Sequence, residues 1–194
     1  MRKDDWPETD GVSGIECVGL VHSCSGGEFK VGTKVAALMG GMGHSIPGSY
    51  AEYTRVPRAM SHRSSPILRW EDPAALPESY TTAWTCIFKN LEITKGQTLL
   101  VRGGTSTLGQ AAINLAIHAR AKVIATSRNP DRAQKLLNLG VERVELEGPN
   151  LSKRLPEKKT IDAVYNLVGN SVMLDSLEIP RRAAVFALQD SSAD

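Results

Sequence analysis

Cysteine is scarce in this chain: Cys17, Cys24 and Cys86 are the only three in 194 residues. They are odd in number and lack the close pairing of a zinc ribbon or a redox dithiol. They therefore read as reduced thiols of a cytosolic protein rather than a disulfide framework. Charge of one sign is lacking too, since 23 Lys and Arg against 21 Asp and Glu leave a formal +2, too little to point to nucleic acid as a partner. There is no apolar run at the start: residues from Met1 to Pro7 are mostly charged or polar, unlike a signal peptide or a membrane span, so the cytoplasm is the expected compartment. Neither an internal repeat nor a low-complexity tract interrupts the sequence. What is present is an ordinary balance, 41% hydrophobic and 23% charged, in a chain long enough for one large or two small domains.

The most informative stretch begins at Gln97. An apolar strand to Arg102 runs into Gly103 and Gly104, a helical pattern follows from Gln110 to Arg120, and a second strand occupies Lys122 to Arg128. Strand, glycine-rich turn, helix and strand is the order that turns a helix N-terminus toward the pyrophosphate of a dinucleotide. Gly103 and Gly104 permit a sharp turn and a close approach of phosphate to backbone, while Gly109 permits tight packing of helix on strand. In the usual Gly-x-Gly-x-x-Gly spacing the three places are held here by Gly104, Ser106 and Gly109. Serine at the middle place is small, and its hydroxyl is available to donate to a phosphate. The residues from Gly103 through Thr105, Ser106, Thr107 and Leu108 to Gly109 are thus the candidate phosphate cradle. Arg102, at the strand end, either reaches the phosphates or caps the sheet edge.

Selectivity is read at the end of the second strand. Sites for NAD place an Asp or Glu there to accept from the ribose hydroxyls, whereas a basic residue accommodates a 2′-phosphate. Here Ser127 and Arg128 stand at that point, with Arg132 one turn further on. A guanidinium suits a phosphate dianion through charge and paired donors, so NADPH is expected over NADH. Arg132 reads equally well as a solvated charge opening a helix. The missing acid also argues against a methyltransferase.

Along the rest of the chain, Gly14 to Val21, Lys34 to Leu38 and Ser49 to Val56 have the character of short strands separated by turn-rich segments. After Pro73 the pattern turns helical, from Ala74 to Lys89, and from Gln97 strands and helices alternate as in a covered parallel sheet. A helix after Asn129 has Asn129 as cap, Pro130 in the first turn, Asp131 near the positive end of the dipole and Gly140 at its finish. Val141 to Leu146, Ala163 to Leu167 and Ala184 to Leu188 supply further strands. The expected fold class is α/β, with a partial β domain over residues 1–75 and a partial doubly wound parallel sheet over 76–194.

Taken in order, the segments Gly14–Gly19, Phe29–Val35, Gly48–Tyr53, Pro73–Pro77, Thr82–Trp84, Gly103–Gly109 and Asp162–Gly169 resemble the medium-chain dehydrogenase/reductase superfamily, and within it the zinc-independent quinone oxidoreductase branch. The resemblance implies an incomplete GroES-like β domain followed by a partial Rossmann domain, with a nicotinamide bound in the cleft between them. Zinc-containing relatives have a His where Ile15 stands and a Cys at what corresponds to Glu78; His22, His44, His62 and His118 show no ligand spacing, so no metal is expected. The chemistry implied is hydride transfer from NADPH to an easily reduced small molecule, a quinone or an α,β-unsaturated carbonyl. Two alternatives share the same motifs: an enoyl-thioester reductase, and a remnant that binds NADPH without turnover.

By the same resemblance Thr82 lies near the nicotinamide, and Leu167, Val168 and Gly169 form the loop that approaches the ribose and carboxamide. Tyr53 fits a packed β-domain strand better than a proton donor. Full members of the family begin with strands ahead of the Gly14 motif and continue past the strand at Ala184, so strand edges are expected to be uncovered here. A homodimer is the oligomeric state this suggests.

Overall fold

The computed structural model describes residues 11–187 apart from Pro66, Glu157 and residues 182–184. The chain divides into two compact units, one ending at Thr81 and the other beginning at Thr82.

In the first unit, β1 (Glu16–Leu20), β2 (Lys34–Leu38) and β3 (Ser61–Arg63) form an antiparallel sheet in the order β1-β2-β3, with Val18 opposite Ala36 and Ala37 opposite Ser61. The third strand is not the expected one. Residues Ser49 to Val56 form no strand, because the amides of Ser49 and Tyr50 donate instead to the carbonyls of Gly14 and Ser13. Tyr53, expected to pack within the β domain, is 65% exposed and meets the ring of His22 edge-on. Lys34 ties the sheet to the segment after it: its ammonium donates to the Leu68 carbonyl at 2.6 Å and lies 4.0 Å from the centre of the Trp70 ring.

The single helix expected from Ala74 to Lys89 is three pieces: α1 (Glu71–Ala74), α2 (Pro77–Trp84) and a widened, π-helical stretch, Thr85–Asn90. Pro77 explains the first break, since proline lacks the amide that would continue the ladder but fits the first turn of a new helix. The next amide, of Glu78, donates to the Glu16 carboxylate of β1 at 2.8 Å, capping α2 from the sheet.

The second unit alternates as the sequence suggested. In chain order it contains β4 (Thr98–Arg102), α3 (Thr107–His118), β5 (Lys122–Ser127), α4 (Ala133–Leu137), β6 (Arg143–Leu146), α5 (Leu151–Arg154), β7 (Ala163–Asn166), α6 (Met173–Leu177) and β8 (Val185–Ala187). A 3-10 turn, Pro130–Arg132, precedes α4, with Asn129 Oδ1 accepting from the Asp131 amide at 2.9 Å. All five strands are parallel in the order β6-β5-β4-β7-β8, half of a doubly wound arrangement with part of the second half. The central strands are apolar almost throughout, as burial on both faces requires. The expected ends of the last strand, Ala184 and Leu188, lie outside the described residues, as does Trp6. Short helices over Leu151–Arg154 and Met173–Leu177 were not anticipated; at four and five residues they carry too little periodicity to be read from pattern. Among the described residues no helix is long and apolar enough to cross a membrane.

Leu100, Ile124, Leu151, Leu155, Ile161, Val164 and Ile179 form one buried cluster drawn from β4, β5, β7, α5 and the segments after α5, before β7 and after α6. Leu100 has no exposed surface, and replacing a buried leucine by alanine removes transfer energy and leaves a cavity. Leu100→Ala is expected to lower unfolding free energy by about 2–5 kcal/mol in urea melts; a loss under about 1 kcal/mol would show that the cluster repacks freely.

Candidate functional site

Because β4, β5 and β7 are parallel neighbours, their carboxyl ends share one edge of the sheet, where ligands of doubly wound folds bind. Three segments leave that edge: Gly103–Ser106 after β4, Arg128–Asn129 after β5 and Leu167–Gly169 after β7. Gly103 brings the first and third together, since a Cβ built on it would stand 3.3 Å from Leu167 Cβ.

The turn after β4 is held by side chains from β5 and from itself. Gly103, at φ +80°, donates its amide to Thr126 Oγ1 at 2.9 Å, and the Gly104 amide donates to the Thr126 carbonyl at 3.0 Å. Ser106 caps α3: its hydroxyl accepts from the Gly109 amide at 3.0 Å and donates to the Gly103 carbonyl at 2.9 Å. The expectation that this hydroxyl donates to a phosphate is therefore corrected, because its one proton is used inside the turn. Gly109 packs as expected of a close approach, with the Gly103 carbonyl 2.6 Å from where a Cβ would be. What the turn leaves open is backbone. The amides of Thr105, Thr107 and Leu108 take no acceptor among the described residues, and the last two stand at the positive end of a 12-residue helix.

After β5, Ser127 is only 3% exposed, and its hydroxyl accepts from the Asn129 amide at 3.2 Å and donates to the Asn129 carbonyl at 2.8 Å. It shapes the bend rather than offering its donor to a ligand. Arg128 and Arg132, before and within the 3-10 turn, are both exposed.

After β7 a buried side chain sets the loop. Asn166 Oδ1 accepts from the amides of Val168 and Gly169 at 2.9 and 3.3 Å, and its amide nitrogen donates to the Gly169 carbonyl at 3.1 Å. The Leu167 amide donates to the Arg102 carbonyl. All three loop amides are thus engaged within the chain, and the groups left to approach a ligand are the carbonyls of Leu167 and Val168. Thr82 sits half-buried in α2.

Arg102 requires the largest correction. It has no exposed surface and reaches no phosphate position, because its guanidinium is enclosed by acceptors: Glu147 at 2.5 and 3.3 Å, Asp175 at 2.8 Å, Ser176 Oγ at 3.0 Å and the Gly148 carbonyl at 3.1 Å. Glu147 also accepts from the Thr126 hydroxyl and from the Gly148 amide. Asp175 accepts from the amides of Leu151 and Ser152, both at 3.1 Å. Burial pushes the Asp175 carboxyl up, but the Ser152 hydrogen bonds and the Arg102 guanidinium outweigh it and hold its pKa below the ordinary value. The three thiols are free, and burial pushes those of Cys17 and Cys86 up, keeping both protonated at neutral pH.

Comparison with known proteins agrees with this architecture. The family model described as zinc-binding dehydrogenase matches residues 107–189. A quinone oxidoreductase from Pseudomonas syringae pv. Tomato DC3000 superposes on 93% of this chain with a TM-score of 0.81 and 25% identity. The chain belongs to the medium-chain dehydrogenase/reductase superfamily. The mycobacterial protein Rv1454c, solved in complex with NADPH, superposes on 93% of the chain with a TM-score of 0.81 at 22% identity, a likeness of fold. Squalestatin tetraketide synthase clz2 of Cochliobolus lunatus is 28% identical over 184 residues, 87% of this chain. The chain spans 7% of that synthase, 56% of the Pseudomonas oxidoreductase and 57% of Rv1454c.

The family description names zinc, which needs His, Cys or carboxylate ligands around it. Ile15 offers no ligand atom, and among the described residues no group of three or more His, Cys, Asp or Glu is placed to hold a metal ion. These residues do not fit a zinc ion.

Two outcomes follow from the Arg102 cluster. Arg102→Met leaves two carboxylates without their cation, and breaking a buried pair from one side costs about 3–5 kcal/mol; urea melts should show a loss of that size, and a loss near zero would mean that water enters the cluster. Asp175, with its folded pKa depressed, contributes stability that is present above about pH 4 and lost as pH falls through the folded value. The stability difference between the wild type and Asp175→Asn should therefore be largest near neutrality and shrink below about pH 4; a difference that stays constant would remove the charge from the explanation.

Proposed function

We propose that this chain binds NADPH along the carboxyl edge of the parallel sheet, and that it serves zinc-independent hydride transfer to a small electrophile, a quinone or an α,β-unsaturated carbonyl. The observation that carries the reading is the pairing of open amides at the start of α3 with exposed guanidiniums at the end of β5, where no carboxylate stands. The amides of Thr105, Thr107 and Leu108 would receive the pyrophosphate oxygens, aided by the helix dipole. Arg128 and Arg132 would pair with the 2′-phosphate. Gly103, Gly104 and Gly109 let the backbone come close. The carbonyls of Leu167 and Val168, beside Gly169, would face the nicotinamide ribose, and Thr82 the nicotinamide. When bound, the cofactor supplies the hydride; the protein supplies orientation and charge. That Rv1454c was solved with NADPH supports the choice of cofactor.

A second reading is an enoyl-thioester reductase. It is favoured by the likeness to a segment of squalestatin tetraketide synthase clz2 and uses the same residues on a different electrophile. A third is NADPH binding without turnover.

Titration of the protein with NADPH and NADH, followed by heat or by the fluorescence of Trp84 and its companions, tests the reading. NADPH should bind in the micromolar range and NADH at least about tenfold more weakly. Arg128→Ala should cost NADPH about tenfold or more, the worth of one charged hydrogen bond, and leave NADH unchanged. Equal affinity for both nucleotides in the wild type would overturn the 2′-phosphate assignment. Oxidation of bound NADPH by a quinone, by a crotonyl thioester or by neither then separates the three readings.

A further inference from the structure

We infer that Thr126, held by the buried Arg102–Glu147 pair, is the positioning residue of the phosphate turn. The inference rests on the nucleotide reading above and adds what sets the geometry of that site.

The geometry is a relay of single-purpose hydrogen bonds. Thr126 has no exposed surface. Its hydroxyl donates to Glu147 and accepts from the Gly103 amide at 2.9 Å. A hydroxyl has one proton and two lone pairs, and an ionised carboxylate only accepts, so Glu147 fixes the Thr126 proton toward itself and leaves a lone pair facing Gly103. Glu147 is fixed in turn from the far side, because Arg102 Nη2 and Nε grip its two oxygens at 2.5 and 3.3 Å. The planar guanidinium fork sets the carboxylate plane as well as its charge.

Gly103 is where this orientation becomes useful. It is the first residue of the turn, it has a positive φ, and its carbonyl receives both the Ser106 amide at 3.1 Å and the Ser106 hydroxyl at 2.9 Å. Ser106 in turn caps α3 through the Gly109 amide. One residue, Gly103, therefore joins Thr126 on β5 to the cap of α3 through its amide and its carbonyl, and the direction of the open Thr105, Thr107 and Leu108 amides follows from it. Thr126 touches no nucleotide in this arrangement. It acts through Gly103, and Arg102 acts through Glu147 one step further back.

The test uses the whole chain with Thr126→Val, which keeps the side-chain shape and removes the hydroxyl, and Thr126→Ser, which restores it. NADPH affinity is measured by calorimetry, and exchange of the Gly103 amide by NMR. The expected result is a loss of at least about tenfold in NADPH affinity for Thr126→Val, recovery to within about threefold of the wild type for Thr126→Ser, and Gly103 exchange that is slow in the wild type and Thr126→Ser but fast in Thr126→Val. A role limited to overall stability would lower the melting temperature without this hydroxyl-dependent recovery of affinity. NADPH binding by the wild type with unchanged affinity in Thr126→Val overturns the inference alone. Absence of NADPH binding by the wild type overturns the nucleotide reading and the inference with it. If Thr126→Val does not fold, wild-type exchange decides: a Gly103 amide that exchanges as fast as a solvent-exposed one overturns the inference without any variant.

Discussion

A guanidinium without exposed surface lies at the carboxyl end of the central strand, and the upper edge of the sheet is organised around it. Taking a cation out of water is costly unless charge and hydrogen bonds replace the lost hydration. Arg102 meets that condition with two carboxylates, a hydroxyl and a carbonyl drawn from two segments: Glu147 and Gly148 after β6, and Asp175 and Ser176 on α6. Asp175 carries the connection on to the first turn of α5 through the Leu151 and Ser152 amides. Lysine at this position would present a single point of charge, whereas the fork can satisfy carboxylates on two sides at once. The consequence is that β4, β6, α5 and α6 are fixed to one another at the very level where the ligand-facing loops begin.

That fixity separates two jobs which a short glycine-rich turn would otherwise have to combine. The polar side chains near the turn, Thr126, Ser106 and Ser127, are each used to shape backbone, and so is Asn166 below the loop after β7. What is left to face a ligand is backbone amide at the start of α3, backbone carbonyl after β7, and two exposed guanidiniums. Pre-set amides at a helix N-terminus need no rearrangement to receive an anion, and an arginine at the rim supplies charge where the solvent-facing end of a ligand would need it. In the proposed nucleotide site, orientation would come from the buried groups and recognition from the exposed ones.

Much of this was legible in the residues. The glycines at 103, 104 and 109, the caps at Asn129 and Pro130, and the arginine where an acid would select NAD are local signals, because turns, caps and close approaches depend on neighbours in sequence. Apolar runs such as Leu99 to Val101 and Val123 to Ala125 announce strands buried on both faces. The failures have equally physical origins. Residues Ser49 to Val56 have strand-like composition, but their amides are drawn to the loop at Ser13 and Gly14, a choice made by a contact across more than thirty residues. Ser106, whose hydroxyl reads as available to a phosphate, and Arg102, which reads as reaching the phosphates or capping the sheet edge, both turn to partners within the chain, because a polar side chain beside a glycine turn has no direction until its partners are known.

The sequence by itself determined the family, the order of the strands and of the first two helices in the second unit, and the positions of the turn and of the arginine pair, since each depends on residue type and short-range spacing. Only the tertiary structure decided which polar groups remain for a ligand. Glu147 lies 45 residues from Arg102 and 21 from Thr126, and Asp175 lies 73 from Arg102. No local pattern connects them; parallel pairing of β4 between β5 and β7 does, by carrying the ends of distant strands to one edge and leaving a buried charge that had to be met there.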